Sequence, residues 1–175
     1  MKTSSITRSL ALSALAGAAL VAPSQPALAD DFFVLLPAGT ACEFNLGYEA
    51  TGGNLQTLEF VDGNGNTVRL LTAGKGVLLT YTNYGMKPKK PVEGESITIR
   101  TDGSVAETVV NPDGTLTVTA TGHNGLIMFP TDEPAGPTTT QYIGKIVYNI
   151  DPATGVFTLV STTGQEIDVC AELAS

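Results

Sequence analysis

Thr115-Leu116-Thr117-Val118-Thr119-Ala120 alternates hydroxyl and apolar side chains without a fault. Successive side chains of a strand point to opposite faces, so this segment has one greasy face and one wet one. Ser96-Ile97-Thr98-Ile99-Arg100-Thr101 repeats the pattern. Leu58 and Phe60 alternate with Thr57 and Glu59, and Val77, Leu79 and Tyr81 with Leu78, Thr80 and Thr82. Half-buried strands of this kind belong to antiparallel sheets.

The segments between the runs carry turn chemistry. Asp62-Gly63, Asp102-Gly103, Pro112-Asp113-Gly114, Asp151-Pro152-Ala153-Thr154-Gly155 and Thr163-Gly164 all favour chain reversal. Strands are therefore expected near 31–36, 42–49, 56–61, 66–72, 76–83, 95–101, 104–111, 114–121, 125–129, 141–150, 155–162 and 165–171, the last two counting as one strand or two. No segment has a helical period. The fold class is all-β: an antiparallel β-sandwich or β-barrel, mostly hairpin-connected. A closed barrel would set Leu79, Tyr81, Ile97, Ile99, Leu116 and Val118 around an interior, which is expected to be filled.

The N-terminus has a different logic. Lys2 and Arg8 precede the apolar run Leu10–Val21, and Ala27-Leu28-Ala29 follows. A basic start, a short apolar run and a small-x-small triplet make a secretory signal peptide over residues 1–29, cleaved after Ala29. The run is too short to cross a bilayer, and no other run is long enough. What remains is a single β domain over 30–175, of a length to support its own core. Lys2 and Arg8 leave with the leader, so seven basic residues face 17 acidic ones, a net charge of −10. That field repels nucleic acid. The expected partner is an extracellular or cell-wall component, with no membrane span.

Cys42 and Cys170 are the only cysteines, and both lie in the exported part. In an oxidising compartment they are expected to pair, tying the start of the domain to its end. The phase of the strand pattern complicates this pairing. Cys42 falls with Phe44, Leu46 and Tyr48, but Cys170 falls with Glu166, Asp168 and Glu172. A strand end or a bulge would reconcile the two.

The chain is poor in catalytic side chains. His123 is the only histidine, which excludes a multi-histidine metal site. Ser96, Ser104, Ser161 and Ser175 are the only serines beyond residue 29, and none sits in a Gly-x-Ser-x-Gly elbow. A carboxylate pair needs no histidine, but a sugar cleft is normally walled by aromatics, and the chain has no Trp and five Tyr. Asp62-Gly63-Asn64-Gly65-Asn66 has oxygens at alternate positions, yet Thr67 and Ala73 stand where a calcium loop needs Gly and Glu. It reads as a hairpin turn. Gly122-His123-Asn124-Gly125 also reads as a hairpin turn, with His123 facing solvent, unless the loop at 130–140 folds back to bring Asp132 and Glu133 to it. No catalytic, metal or cofactor residue is assigned.

Two longer loops, 84–94 and 130–140, hold respectively three of the seven remaining basic residues and three prolines. Long loops on β scaffolds are where binding concentrates. The expected function is a secreted, non-catalytic binding or structural domain. The alternatives are a small carboxylate-pair hydrolase and a protease inhibitor that presents the 130–140 loop.

Over most of residues 31–173 the chain resembles a group of small exported proteins of actinomycete-type bacteria whose function is unassigned. The resemblance rests on Phe32-Phe33-Val34-Leu35-Leu36-Pro37-Ala38-Gly39-Thr40-Ala41-Cys42, Thr119–Gly125, Asp151–Gly155 and the closing cysteine. It implies export and supplies no catalytic or binding residue.

Overall fold

The structure is a computed structural model that describes residues 26–27, 32–87 and 90–174. The expected leader and its cleavage site lie outside the described residues, apart from Pro26–Ala27.

The described chain forms eleven strands and one short helix. The strands are β1 (Pro26–Ala27), β2 (Phe32–Leu36), β3 (Leu46–Thr51), β4 (Asn54–Val61), β5 (Thr67–Lys75), β6 (Leu78–Asn83), β7 (Ser96–Arg100), β8 (Val105–Val110), β9 (Leu116–Met128), β10 (Thr138–Ile150) and β11 (Phe157–Asp168). The helix α1 (Val169–Leu173) follows directly. All strand pairs are antiparallel, in two sheets ordered β1-β4-β5-β8-β9-β10-β11 and β2-β3-β6-β7. The sheets pack together as a sandwich rather than closing into a barrel.

The turn signals at 62–66, 101–104, 111–115 and 151–156 fall between strands as their chemistry requires. Two others do not. Thr163-Gly164 lies inside β11, and Gly122–Gly125 lies inside β9. The cause is a transverse row of glycines: Gly122 pairs with Gly144, and Gly144 with Gly164, across β9, β10 and β11. Their φ angles are +89°, +152° and +101°. A Cβ on Gly144 would lie 2.1 Å from the Thr163 carbonyl oxygen, and one on Gly164 2.2 Å from that of Ile143. Glycine here lets three long strands depart from the regular pleat without ending.

The core between the sheets is filled. Leu46, Leu79 and Tyr81 are buried there with Ala41, Cys42, Phe44, Val169 and Leu173, and Ile97, Ile99 and Ile127 pack against them. Tyr48 and Tyr81 have ring centroids 5.5 Å apart. A second cluster occupies the opposite face of the large sheet: Ala120, Leu126, Met128, Tyr142 and Ile146, with Tyr148, Phe157 and Leu159 against it.

Cys42 and Cys170 are bonded, with Cα atoms 5.5 Å apart. The conflict of phase is resolved by α1. The strand ends at Asp168, whose side chain accepts the Ala171 amide at 3.0 Å and so caps the helix. A helical turn then brings Cys170 round to the core beside the buried Val169 and Leu173. At the other end of α1, Asn83 Nδ2 donates to the Leu173 carbonyl at 2.8 Å, tying the helix to β6.

Candidate functional site

His123 is not a turn residue. It sits inside β9 opposite Ile143, half-buried, which corrects the expectation of a solvent-facing reversal at Gly122–Gly125. The glycines that suggested a turn serve other ends. Gly122 belongs to the transverse row. At Gly125 a Cβ would lie 2.3 Å from the Tyr81 hydroxyl and 3.3 Å from Gln141 Oε1, so this position must stay empty for β6 to approach.

Pairing between β8 and β9 stops at Thr121. His123 is therefore beyond the reach of the β8 backbone, and its own amide and carbonyl need another partner. Ser104 supplies it. Its Oγ donates to the His123 carbonyl at 2.5 Å and accepts from the His123 amide at 3.1 Å. Asp102 lies nearby but is engaged by Arg100 Nε at 2.6 Å. That bond, with further help from the charges of Arg100, Lys75 and His123, holds the Asp102 carboxyl below the usual range. Serine, histidine and aspartate thus share a neighbourhood without forming a relay. The hydroxyl is spent on backbone, and the carboxylate on a guanidinium.

The face of β9 and β10 that carries His123 continues into the space between the sheets. Tyr81 Oη donates to Gln141 Oε1 at 3.3 Å, and Thr139 Oγ1 donates to the Ala41 carbonyl at 3.0 Å. Gln141 and Thr139 are wholly buried. Burial, aided by the neighbouring Tyr48, pushes the Tyr81 phenol well above its ordinary value, so it acts as a neutral donor. Gln141 Nε2, His123 Nδ1 and Asn124 Nδ2 are buried with no hydrogen-bond partner from the protein. This polar centre has no local signature in the sequence. Thr138-Thr139-Thr140-Gln141 reads as a loop end, and its only clue is that it lengthens the strand expected at 141–150.

Asp132 and Glu133 do not meet His123. They belong to a loop that leaves β9 at Met128, five residues beyond His123, or about 17 Å of strand. Asp132 is 3% exposed and accepts the Phe129 and Phe157 amides at 2.6 and 2.9 Å. The Glu133 amide donates to the Phe157 carbonyl, and its carbonyl accepts the Leu159 amide. Both residues staple the loop to the edge of β11.

Asp113 and Asp151 line one open cleft of about 470 Å³ at the turn end of the large sheet, with Asn149, Thr154 and Thr158. Asp113 is held below the usual carboxylate range by the Thr115 hydroxyl and amide, and Asp151 by the Ala153 amide and the Thr154 hydroxyl. A glycosidase acid needs the opposite displacement, so neither is suited to donate a proton at neutral pH. At the Asp62 turn, Oδ1 accepts the Asn64 and Asn66 amides at 2.8 and 2.9 Å, and Oδ2 accepts Asn66 Nδ2 at 3.1 Å. The oxygens that resembled a calcium loop close the turn on itself. Among the described residues no group of three His, Cys, Asp or Glu side chains could hold a metal ion. No helix among them is long and apolar enough to cross a membrane.

The outer face of the small sheet carries a different arrangement. Register places Phe33, Glu49, Thr80 and Thr98 in one row, and Leu35, Gly47, Thr82 and Ser96 in the next. Phe33 is 55% exposed and meets the Tyr84 ring edge-on at 6.2 Å. Both rings lie over Gly47, where a Cβ would be 2.4 Å from Tyr84. Beside them the hydroxyls of Thr80 and Thr98 are 3.2 Å apart, and those of Thr82 and Ser96 2.8 Å. No protein-family model, curated protein or solved structure matches this chain.

Proposed function

We propose that the chain is an exported, non-catalytic β module that binds a glycan of the cell envelope through the outer face of its small sheet. The observation that carries this reading is the juxtaposition of the edge-on Phe33–Tyr84 pair with the exposed hydroxyl pair of Thr80 and Thr98. A sugar ring presents apolar C–H faces and equatorial hydroxyls. An exposed aromatic ring beside a row of hydroxyls, with the Glu49 carboxylate between them, matches both. Four polar side chains elsewhere are already engaged within the fold: Ser104, Asp62, Asp102 and Asp132 each hold backbone or a neighbouring side chain. Export rests on the leader reading, and the Cys42–Cys170 bond is in keeping with it.

The test is co-sedimentation of the purified protein with washed envelopes and with insoluble cell-wall polysaccharide. Phe33→Ala and Thr80→Val should each abolish most of the binding, whereas Asp113→Asn with Asp151→Asn should leave it intact. Binding that ignores Phe33, or release of reducing sugar during the incubation, would sink the reading. The N-terminal residue of the protein in the medium should be Asp30.

A further inference from the structure

The outer edge of β4 is an unfinished sheet. Its only partner among the described residues is β1, where Pro26 pairs with Gln56 and Ala27 with Leu55. From Thr57 to Val61 that edge has no strand beside it among the described residues. Apart from a register shift against β5 between Phe60 and Val61, β4 (Asn54–Val61) has little to protect its edge: it holds no Lys, no Pro and one charge, Glu59. That charge is drawn back to β5 by the Thr67 hydroxyl. Leu58, Phe60 and Val61 are 46%, 37% and 55% exposed. Leu58 also borders an open cleft of about 440 Å³ with Gln56, Leu71 and Ala73.

We infer that β4 is a self-association edge: two copies of the chain beginning at Asp30 pair β4 to β4, antiparallel about a twofold axis through Leu58. The inference rests on the export reading, because β1 lies within the leader and cleavage after Ala29 removes it. The edge already accepts an extended segment in antiparallel sense, which is the sense a twofold imposes. An axis normal to the sheet keeps each face continuous, so opposed residues must share a face. Centred on Leu58, Leu58 meets its own copy, Gln56 meets Phe60, Leu55 meets Val61 and Thr57 meets Glu59. No like charges are opposed, and the exposed apolar residues on both faces gain neighbours. The large sheets of the two copies become one, and neither β4 edge remains open.

The experiment is sedimentation velocity on the chain beginning at Asp30, from micromolar to about 200 µM, a span that resolves weak dimers. The expected species is a dimer. Leu58→Lys sets two ammonium groups against each other and should weaken it at least about tenfold. Leu58→Cys should form an intermolecular disulfide on mild oxidation, since directly opposed strand residues lie within disulfide reach. Val160→Cys, exposed on β11, should not. A monomer throughout the range, or a dimer indifferent to Leu58→Lys, overturns the inference, and in either case the edge does not serve a second copy. N-terminal sequencing of the protein from the medium tests leader removal by itself. A retained leader refutes the export reading, whereas a monomer that begins at Asp30 refutes self-association alone.

Discussion

Ser104 Oγ bonds both backbone groups of His123, donating to the carbonyl at 2.5 Å and accepting from the amide at 3.1 Å. One side chain thereby stands in for the strand that β8 fails to provide beyond Thr121. The imidazole takes no part in this bond.

Ser104→Ala leaves two backbone groups of a half-buried strand unpartnered, and should cost about 1–3 kcal/mol in denaturant unfolding. His123→Gln keeps the backbone bond. The two changes should therefore add in the double variant to within about 0.5 kcal/mol. A large coupling would show that the hydroxyl acts on the ring after all.

Gly144→Ala places a methyl group against the Thr163 carbonyl at a φ of +152°. The expected loss is at least about 2 kcal/mol, read as a lower denaturant midpoint. Gly63→Ala, in the turn between β4 and β5, meets nothing within 4 Å and should stay within about 0.5 kcal/mol of the parent.

Replacing both cysteines by alanine releases a cross-link spanning 128 residues of sequence. The chain-entropy model puts the cost at roughly 4–5 kcal/mol, to be measured with and without reductant on the parent chain. The double variant should unfold at the same midpoint in both conditions.

Stability should fall in acid, below the ordinary aspartate value of about 3.9. Asp62, Asp102, Asp113 and Asp151 all have folded-state values below their ordinary ones. The principal causes are, in turn, the Asn66 amide, the Arg100 guanidinium, the Thr115 hydroxyl and the Ala153 amide. A depressed folded value gives stability that is present above the unfolded value and lost as pH falls through the folded one. These four groups should leave the midpoint flat between about pH 7 and 5 and lower it below about 4. Asp62→Ala should reduce the acid-dependent part of the fall, and a curve unchanged by that substitution would contradict the assignment.

The strands were legible wherever one face is dry and the other wet. Ser96–Arg100 and Leu116–Ala120 show the period in full, and both lie in strands. The turns at Asp62 and Asp113 were legible because the signal is local: each carboxylate bonds amides that follow it. Gly122–Gly125 was misread because a tight turn and a crowded strand both require glycine. The difference lies in Gly144 and Gly164, residues that become neighbours only after β9, β10 and β11 have paired. The phase of Cys170 conflicts with its pairing for a related reason. The alternation that runs through Glu166 and Asp168 ends two residues before Cys170, where Asp168 turns the chain into α1. The polar centre at Tyr81 and Gln141 joins residues 60 apart in sequence, and no local pattern announces it.

The bond between Cys42 and Cys170 also decides how the domain carries mechanical load. Tension applied to the two ends of the chain runs through a covalent shortcut, so β3 to β11 lie outside the load path. Pulling can peel β2 from its neighbour and unwind α1, and then it stops. The enclosed 128-residue span, worth roughly 400 Å of extended chain, stays hidden from the force until the bond is reduced.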